Sequence, residues 1–401
     1  MKAVTRYLRP SSPGSKPRLA IITGPDAASR WPLVDILKRD FEITLVGSKP
    51  EANGYSAPRL GYRYYKLARS INPLSDFQST RQLLRILSKV KPDVVQTFST
   101  KPAVLGRLAA SLARVPVIVG TIPGIGSLYG DNRIRTRLIR YIYEGLQKLV
   151  CKLSAMTIFQ NEDDLAEFVA RGLVSAKKAM VVPGSGVDTT IYRPDAASAE
   201  ERMALRSDLG VPPNAPIVTM ISRVIRSKGV CDFAEAARLL SMPANDTPYF
   251  LLVGEPDMEN RDALNATELE VVQRWLHCLG ARTDVVAILG ITDVFVLPSY
   301  YREGVPRALI EAAASGKALI TTNYPGCRDV VEHDLSGLIV PPRDPKSLAQ
   351  AIDSLLSDPS RRKRLGAAAR QVAVAKFDLQ IVANRLCQLY IKLLASPKGL
   401  P

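Results

Sequence analysis

Short apolar runs alternate along this chain with longer stretches in which apolar residues recur every three or four positions. The runs Leu19–Gly24, Glu42–Gly47, Asp93–Phe98, Val115–Thr121 and Ala155–Gln160 predict strands. The stretches Asp76–Val90, Ala103–Arg114 and Arg133–Leu153 predict helices between them. Strands separated by helices of this length make βαβ units and a parallel sheet. The pattern breaks at Val181–Pro194, where prolines and glycines interrupt an extended piece that reads as the end of the first half. A helical stretch over 196–210 follows, and Pro216–Ser222 opens a second series of strands. Its further members are Tyr249–Gly254, Val294–Leu297, Ala318–Thr322 and Gly337–Val340. Helices are expected at Val230–Ser241, Gly304–Ser315, Ser347–Leu356, Arg361–Ala375 and Leu379–Ala395.

The expected fold class is therefore α/β: two Rossmann-like, doubly wound domains facing each other across a cleft, with ligands at the carboxyl ends of the strands. Residues 1–16 read as a flexible tail with a basic start and no apolar core, not a signal peptide. Residues 17–195 form the expected amino-terminal domain and 196–378 the carboxyl-terminal one. The helix in 379–401 is expected to cross back to the first domain. No apolar stretch approaches the ~18–20 residues of a membrane span.

Charge narrows the partners. Lys and Arg number 54 against 38 Asp and Glu, a net +16, which calls for an acidic partner. With 6% aromatic residues and no zinc-finger or RNP-like stretch, nucleic acid is set aside, leaving phosphorylated ligands and anionic lipid. The five cysteines, Cys151, Cys231, Cys278, Cys327 and Cys387, lie far apart with no CxxC pair, so neither a metal cluster nor a disulfide framework is expected.

Two stretches carry candidate chemistry. Glu303-Gly-Val-Pro-Arg-Ala-Leu-Ile-Glu311 follows the apolar strand VFVLPS. A helix with Pro306 in its first turn would leave the N–H groups of Gly304 and Val305 open to an anion. Glu303 and Glu311 would then stand about 12 Å apart at helical rise, suiting an extended ligand with hydroxyls at both ends. Taken alone, the same spacing equally fits a surface helix with two solvated glutamates. Ser222-Arg-Val-Ile-Arg-Ser-Lys-Gly229 places Arg223 and Lys228 in a loop at a strand's carboxyl end, where they can grip phosphate, although taken alone the stretch reads better as an ordinary basic loop before a helix. Neither Gly24 nor the Gly124–Gly126 region completes G-x-G-x-x-G, which excludes a dehydrogenase. Those glycines would instead let backbone approach a substrate.

These motifs together resemble the retaining glycosyltransferases of family 4, which have the two-Rossmann GT-B fold. The resemblance runs through Arg223…Lys228-Gly229, the Asp293–Glu311 stretch and Gly337-Leu-Ile-Val-Pro-Pro. In the first half it runs through Gln96–Pro102, Ile122–Gly126, Phe159–Asp164 and Val182–Asp188, similar to a bacterial subgroup that extends polyprenyl-diphosphate-linked saccharides. It implies that Glu303 holds hydroxyls of the donor sugar and Glu311 the ribose. It further implies that Arg223 and Lys228 neutralise the leaving diphosphate, with N–H groups from Gly304 and Val305. Gly124 and Gly126 would approach the donor, and Lys101 the acceptor. No D-x-D triplet occurs, so no metal or other cofactor is expected, the UDP-sugar being a substrate. Where relatives carry a first-domain histidine, the corresponding positions here are Gln96, Phe98 and Pro123; His277 and His333 read as structural. The expected activity is transfer of an N-acetylhexosamine from its UDP form to a polyprenyl-diphosphate-linked saccharide, by a cytoplasmic enzyme on the inner face of the cell membrane. The alternative, resting on the histidine gap, is a non-catalytic nucleotide-binding scaffold at the membrane. A nucleotide-sugar epimerase would need acid and base groups that no histidine motif supplies.

One further stretch has two readings. In Arg133–Lys152 the residues Ile134, Leu138, Ile142, Leu146 and Leu149, followed by Leu153, make an apolar stripe, flanked by Arg133, Arg137, Arg140, Lys148 and Lys152. It is either an amphipathic helix lying on an anionic bilayer or a domain helix burying its apolar face.

Overall fold

The computed structural model describes residues 15–50, 61–68, 72–129, 134–212, 214–241 and 248–396. The chain forms two units, one of residues 15–183 with 379–396 and the other of 184–378.

In the first unit the elements run β1 (Arg18–Ile22), α1 (Trp31–Leu37), β2 (Glu42–Gly47), β3 (Gly61–Tyr64), α2 (Pro73–Val90), β4 (Val94–Thr97), α3 (Thr100–Leu112), β5 (Val117–Ile122), α4 (Ile134–Leu153), β6 (Met156–Phe159), α5 (Glu162–Ala170) and β7 (Ala179–Val181). The seven strands form one sheet in the order β3-β2-β1-β4-β5-β6-β7, with every pair parallel. Both faces of the central strands are covered, which is why β1, β4 and β5 are nearly continuous apolar runs rather than alternating ones. The edge strands differ: GYRY in β3 is half-exposed, and β7 has three residues.

The second unit runs α6 (Ala199–Asp208), β8 (Ile217–Ile221), α7 (Val230–Leu240), β9 (Tyr249–Val253), α8 (Ala266–Trp275), β10 (His277–Cys278), α9 (Val285–Ile291), β11 (Val294–Leu297), α10 (Arg307–Ala314), β12 (Ala318–Thr322), β13 (Leu338–Val340), α11 (Pro345–Leu356) and α12 (Pro359–Val372). Its parallel sheet has the order β10-β9-β8-β11-β12-β13. Capping boxes, Ser198 with Glu201 and Asn265 with Glu268, start α6 and α8 by satisfying first-turn N–H groups. A last helix, α13 (Leu379–Ala395), belongs to the first unit. Its Val382, Leu386 and Tyr390 join Leu19, Ile21 and Val119 in one apolar cluster. Buried Gln96 accepts a hydrogen bond from the Tyr390 hydroxyl at 2.9 Å.

Residues 184–195, read from sequence as the end of the first half, are part of the second unit. The Val187 N–H donates to the Phe377 carbonyl at 2.9 Å, and Arg370 donates to the carbonyls of Thr189 and Tyr192. Extended, proline-punctuated chain looks like a linker, but here its backbone groups are partnered in the unit that follows. No described helix is long and apolar enough to cross a membrane.

Candidate active site

In the second unit the chain leaves β8 for β9 on one side and returns to β11 on the other, which makes a switch point between β8 and β11. The loops leaving these two strands carry Arg223, Lys228 and Glu303. Lys228 lies in a short 3-10 turn over 226–228, closed by Gly229 at φ 80°. A Cβ on Gly229 would fall 2.2 Å from the Pro298 carbonyl oxygen, so only glycine lets this turn lie against the β11 loop. The two loops are joined by the Tyr300 N–H donating to the Ser227 carbonyl at 2.8 Å.

The charges meet on this scaffold. The Lys228 ammonium is 2.5 Å from Glu303 Oε1, with both side chains largely buried. Ser299 donates its hydroxyl to the same carboxylate at 3.1 Å. Arg223, half-exposed, pairs with Asp257 at 3.0 Å. The ring of Tyr301 lies beside both cations, 6.0 Å from the Arg223 guanidinium and 5.7 Å from the Lys228 ammonium. Beneath them Cys327 is buried, and burial, with Glu303 nearby, pushes its thiol up to about 12, so it stays protonated. Two cations are thus held at strand ends by their own acidic partners, an arrangement whose ion pairs can be exchanged for contacts with an anion.

Glu311 lies on α10, is nearly buried, and takes a hydrogen bond from Arg307 Nε at 2.7 Å. Tyr192 joins this pair; burial, then the Glu311 charge, raises its phenol. The helix begins at Arg307, not in the residues before it. Pro306 is the N-cap at φ −64°, ψ 119°, and its carbonyl accepts the N–H groups of Leu309 and Ile310. Glu303 is therefore off the helix, and helical rise does not set its distance from Glu311. Gly304 and Val305, expected to offer open N–H groups, already have partners. The Gly304 carbonyl lies against Gly326 (φ 83°), where a Cβ would fall 2.2 Å from it.

The remaining residues singled out from sequence lie in the first unit. Gly124 and Gly126 take φ of 127° and 66° in the loop after β5, with Ile125 buried between them. Lys101, in the first turn of α3, is 2.5 Å from Asp76 and donates to the Ala68 carbonyl at 2.8 Å. Arg133 falls outside the described residues. Arg137 is exposed on α4, and Arg140 lies 5.3 Å from the Tyr129 ring centre. Of the positions corresponding to the histidine, Gln96 is buried and bonded, and Phe98 lies 4.4 Å beneath the Arg30 guanidinium. His277 stacks on Tyr249, and His333 Nδ1 accepts the Ile339 N–H.

Helix α4 is turned the opposite way from an ordinary domain helix. Ile134 is 85% exposed, Leu138 63% and Ile142 56%, and Leu146, Leu149 and Leu153 are also exposed. The buried face carries Thr136, Gln147, Val150 and Cys151. It docks on Arg107 of α3, fully buried, which donates to Gln147 Oε1 at 2.7 Å and to the Ala103 carbonyl at 2.8 Å. The reading in which α4 buries its apolar stripe is overturned, because the partner it finds on α3 is a cation that needs polar company.

Sequence reading missed Tyr301, Asp257, Arg307 and Tyr192 at this site. It also missed a cluster at the first unit's own switch point, between β1 and β4. There Asp26 accepts hydrogen bonds from Thr23 (2.7 Å), Arg30 (3.1 Å) and Ser99 (3.3 Å), the last residue at φ 68°. Burial pushes the Asp26 carboxyl up, but Arg30 and the hydrogen bonds hold it below its ordinary value. Tyr301 had a signal, as an aromatic pair directly before Arg302-Glu303, and so did Arg307, one helical turn before Glu311.

Comparison with known proteins follows the same division. Residues 201–372 match the family model of the glycosyl transferases group 1, and residues 26–158 match glycosyl transferase 4-like. The chain is 33% identical over 366 residues to the N,N'-diacetylbacillosaminyl-diphospho-undecaprenol alpha-1,3-N-acetylgalactosaminyltransferase of Campylobacter jejuni, covering 90% of this chain and 94% of that one. It is 30% identical over 295 residues to the Escherichia coli UDP-Gal:alpha-D-GlcNAc-diphosphoundecaprenol alpha-1,3-galactosyltransferase, 73% of each chain. A glycosyltransferase of Rickettsia africae superposes with a TM-score of 0.76 at 20% identity, covering 96% of this chain and all of that one. Anabaena HepE in complex with UDP-glucose gives a TM-score of 0.76 at 19% identity over 94% and 99%.

Proposed function

This chain belongs to the group 1 glycosyl transferases and has the GT-B fold, and on that premise we propose that it moves an N-acetylhexosamine from a UDP-sugar to a polyprenyl-diphosphate-linked saccharide with retention of configuration. The observation that carries this is the Lys228–Glu303 ion pair at the switch point, with Arg223 and Tyr301 beside it. The acceptors in the names of both relatives support a lipid-diphosphate acceptor.

In this reading the bond from the anomeric carbon to phosphate oxygen breaks, and its electron pair leaves with UDP. Lys228 and Arg223 meet the charge that grows on the diphosphate, while Glu303 accepts hydrogen bonds from donor-sugar hydroxyls. The acceptor hydroxyl attacks from the same face and passes its proton to the departing phosphate. Fixed cations need no reorganisation as the charge develops. Incubating the protein with UDP-sugars and GlcNAc-diphospho-undecaprenol or its diacetylbacillosaminyl counterpart tests this through UDP release. UDP binding without turnover on any donor would favour the scaffold reading instead.

Two predictions follow from the site itself. Because protein cations serve the diphosphate, chelation with EDTA should leave the rate largely unchanged; a loss restored by Mn²⁺ or Mg²⁺ would overturn this. Glu311→Gln, which weakens charged hydrogen bonds to ribose, should weaken UDP binding by roughly tenfold. Titration calorimetry reads this directly, and unaltered UDP affinity would remove Glu311 from the ribose.

We further propose that α4 attaches the protein to the bilayer in which such an acceptor resides. Its exposed leucines and isoleucines would enter the interface while Arg137, Lys148 and Lys152 meet anionic headgroups.

A further inference from the structure

Beside the carboxyl end of α4 the first unit holds a groove of about 910 Å³ between the starts of β5 and β6 and the last turns of α13. Its floor is apolar, with Met156, Leu389 and Leu393. Around it stand Lys152, Lys177, Lys178, Arg385 and Lys392, and every charged side chain lining it is a cation. Lys178 donates to the carbonyls of Lys152 and Ser154, at 3.2 Å each. The other four have no acidic partner among the described residues. Lys392 and Lys152 lie near helix ends, where a cation complements the dipole, and Lys177 lies in a short 3-10 turn, but Arg385 has no such reason to point here. Leu153 belongs both to the groove and to the exposed stripe of α4, so the two surfaces are continuous.

We propose that this groove binds one anionic phospholipid of the bilayer, with the phosphodiester among the four cations and the start of an acyl chain on the apolar floor. A free phosphate would leave the floor unused. A nucleotide would find no aromatic side chain to stack on among the lining residues. The volume is within the ~300–1,000 Å³ of small-molecule sites. The proposal rests on the attachment through α4, since an extractable lipid must come from a bilayer that this surface touches.

A monomeric probe separates the two ideas. Dihexanoyl phosphatidylglycerol, kept below its aggregation threshold, should bind one per chain by native mass spectrometry and calorimetry. It should bind equally to the Leu138→Asp/Ile142→Asp variant, whose changes lie outside the groove. The Arg385→Glu/Lys392→Glu variant, altered at exposed positions, should bind at least ~10-fold more weakly, as should phosphatidylcholine of the same chain length with the parent. Saturable single-site binding is required: its absence in the parent, equal binding by the charge-reversed variant, or equal binding by glycerol phosphate would each overturn the proposal. A parent that ignores vesicles yet takes up one lipid keeps the groove and loses the attachment.

Discussion

Lys228→Ala should lower turnover at saturating donor by more than ~100-fold, corresponding to ~3 kcal/mol of lost stabilisation. The side chain is largely buried and 2.5 Å from Glu303, so no bulk cation can take its place at that distance. Its removal also leaves a carboxylate in a poorly solvated position, which has a stability cost of its own. The double change Lys228→Ala/Glu303→Gln separates these effects. It should recover melting temperature without recovering turnover, because the lysine charge is still missing and the Glu303 contact to the donor sugar is weakened as well. Arg223→Ala, from a half-exposed side chain paired with Asp257, should cost less than Lys228→Ala. Turnover of Lys228→Ala within threefold of the parent would remove Lys228 from the reaction.

The second large effect concerns α4. Leu138→Asp with Ile142→Asp should reduce partition onto vesicles of anionic lipid by ~100-fold. A fully buried Leu or Ile contributes about 1.5–3 kcal/mol. An interfacial position yields part of this, and two new carboxylates add repulsion, for a sum of ~3 kcal/mol. Both residues are exposed, so melting should barely move, in line with surface substitutions of about ±0.5 kcal/mol. Raising salt to ~1 M shortens the Debye length to about 3 Å and should release only part of the parent, because the apolar contribution is not screened. Co-sedimentation reads both results. A variant that sediments like the parent would place the attachment elsewhere.

The two units differ in how much of them could be read beforehand. Strands buried on both faces, such as VFVL in β11 and IVTMI in β8, announce themselves as apolar runs. GYRY and AMV do not, since a half-exposed edge strand has little apolar pattern to show. Arg223, Lys228 and Glu303 could be singled out because their loops follow recognisable strands, and Glu311 because it lies on the helix after one. Asp257 and Tyr192 could not, because they are distant in sequence and meet those residues only in the folded unit; Tyr301, two residues before Glu303, and Arg307, one helical turn before Glu311, lay within reach of sequence reading and were passed over. Periodicity found α4 but could not orient it. The same stripe suits burial or exposure, and the deciding residue is Arg107, on a different helix. The start of α10 was misplaced for a local reason: proline permits a first-turn position, yet at ψ 119° Pro306 serves as the cap.

Helix α13 has a consequence for how the protein is made. The amino-terminal sheet is synthesised first, yet one of its faces is covered by α13, which leaves the ribosome only after the whole of the second unit, with Tyr390 reaching back to Gln96. Residues 184–378 are contiguous and can complete their core while translation continues, as domains generally fold as units. The order of completion thus runs opposite to the order of synthesis. A premature stop shortly before Tyr390 would spare the second unit and cripple the first, so a lesion downstream of one unit would be felt in the other, made earlier.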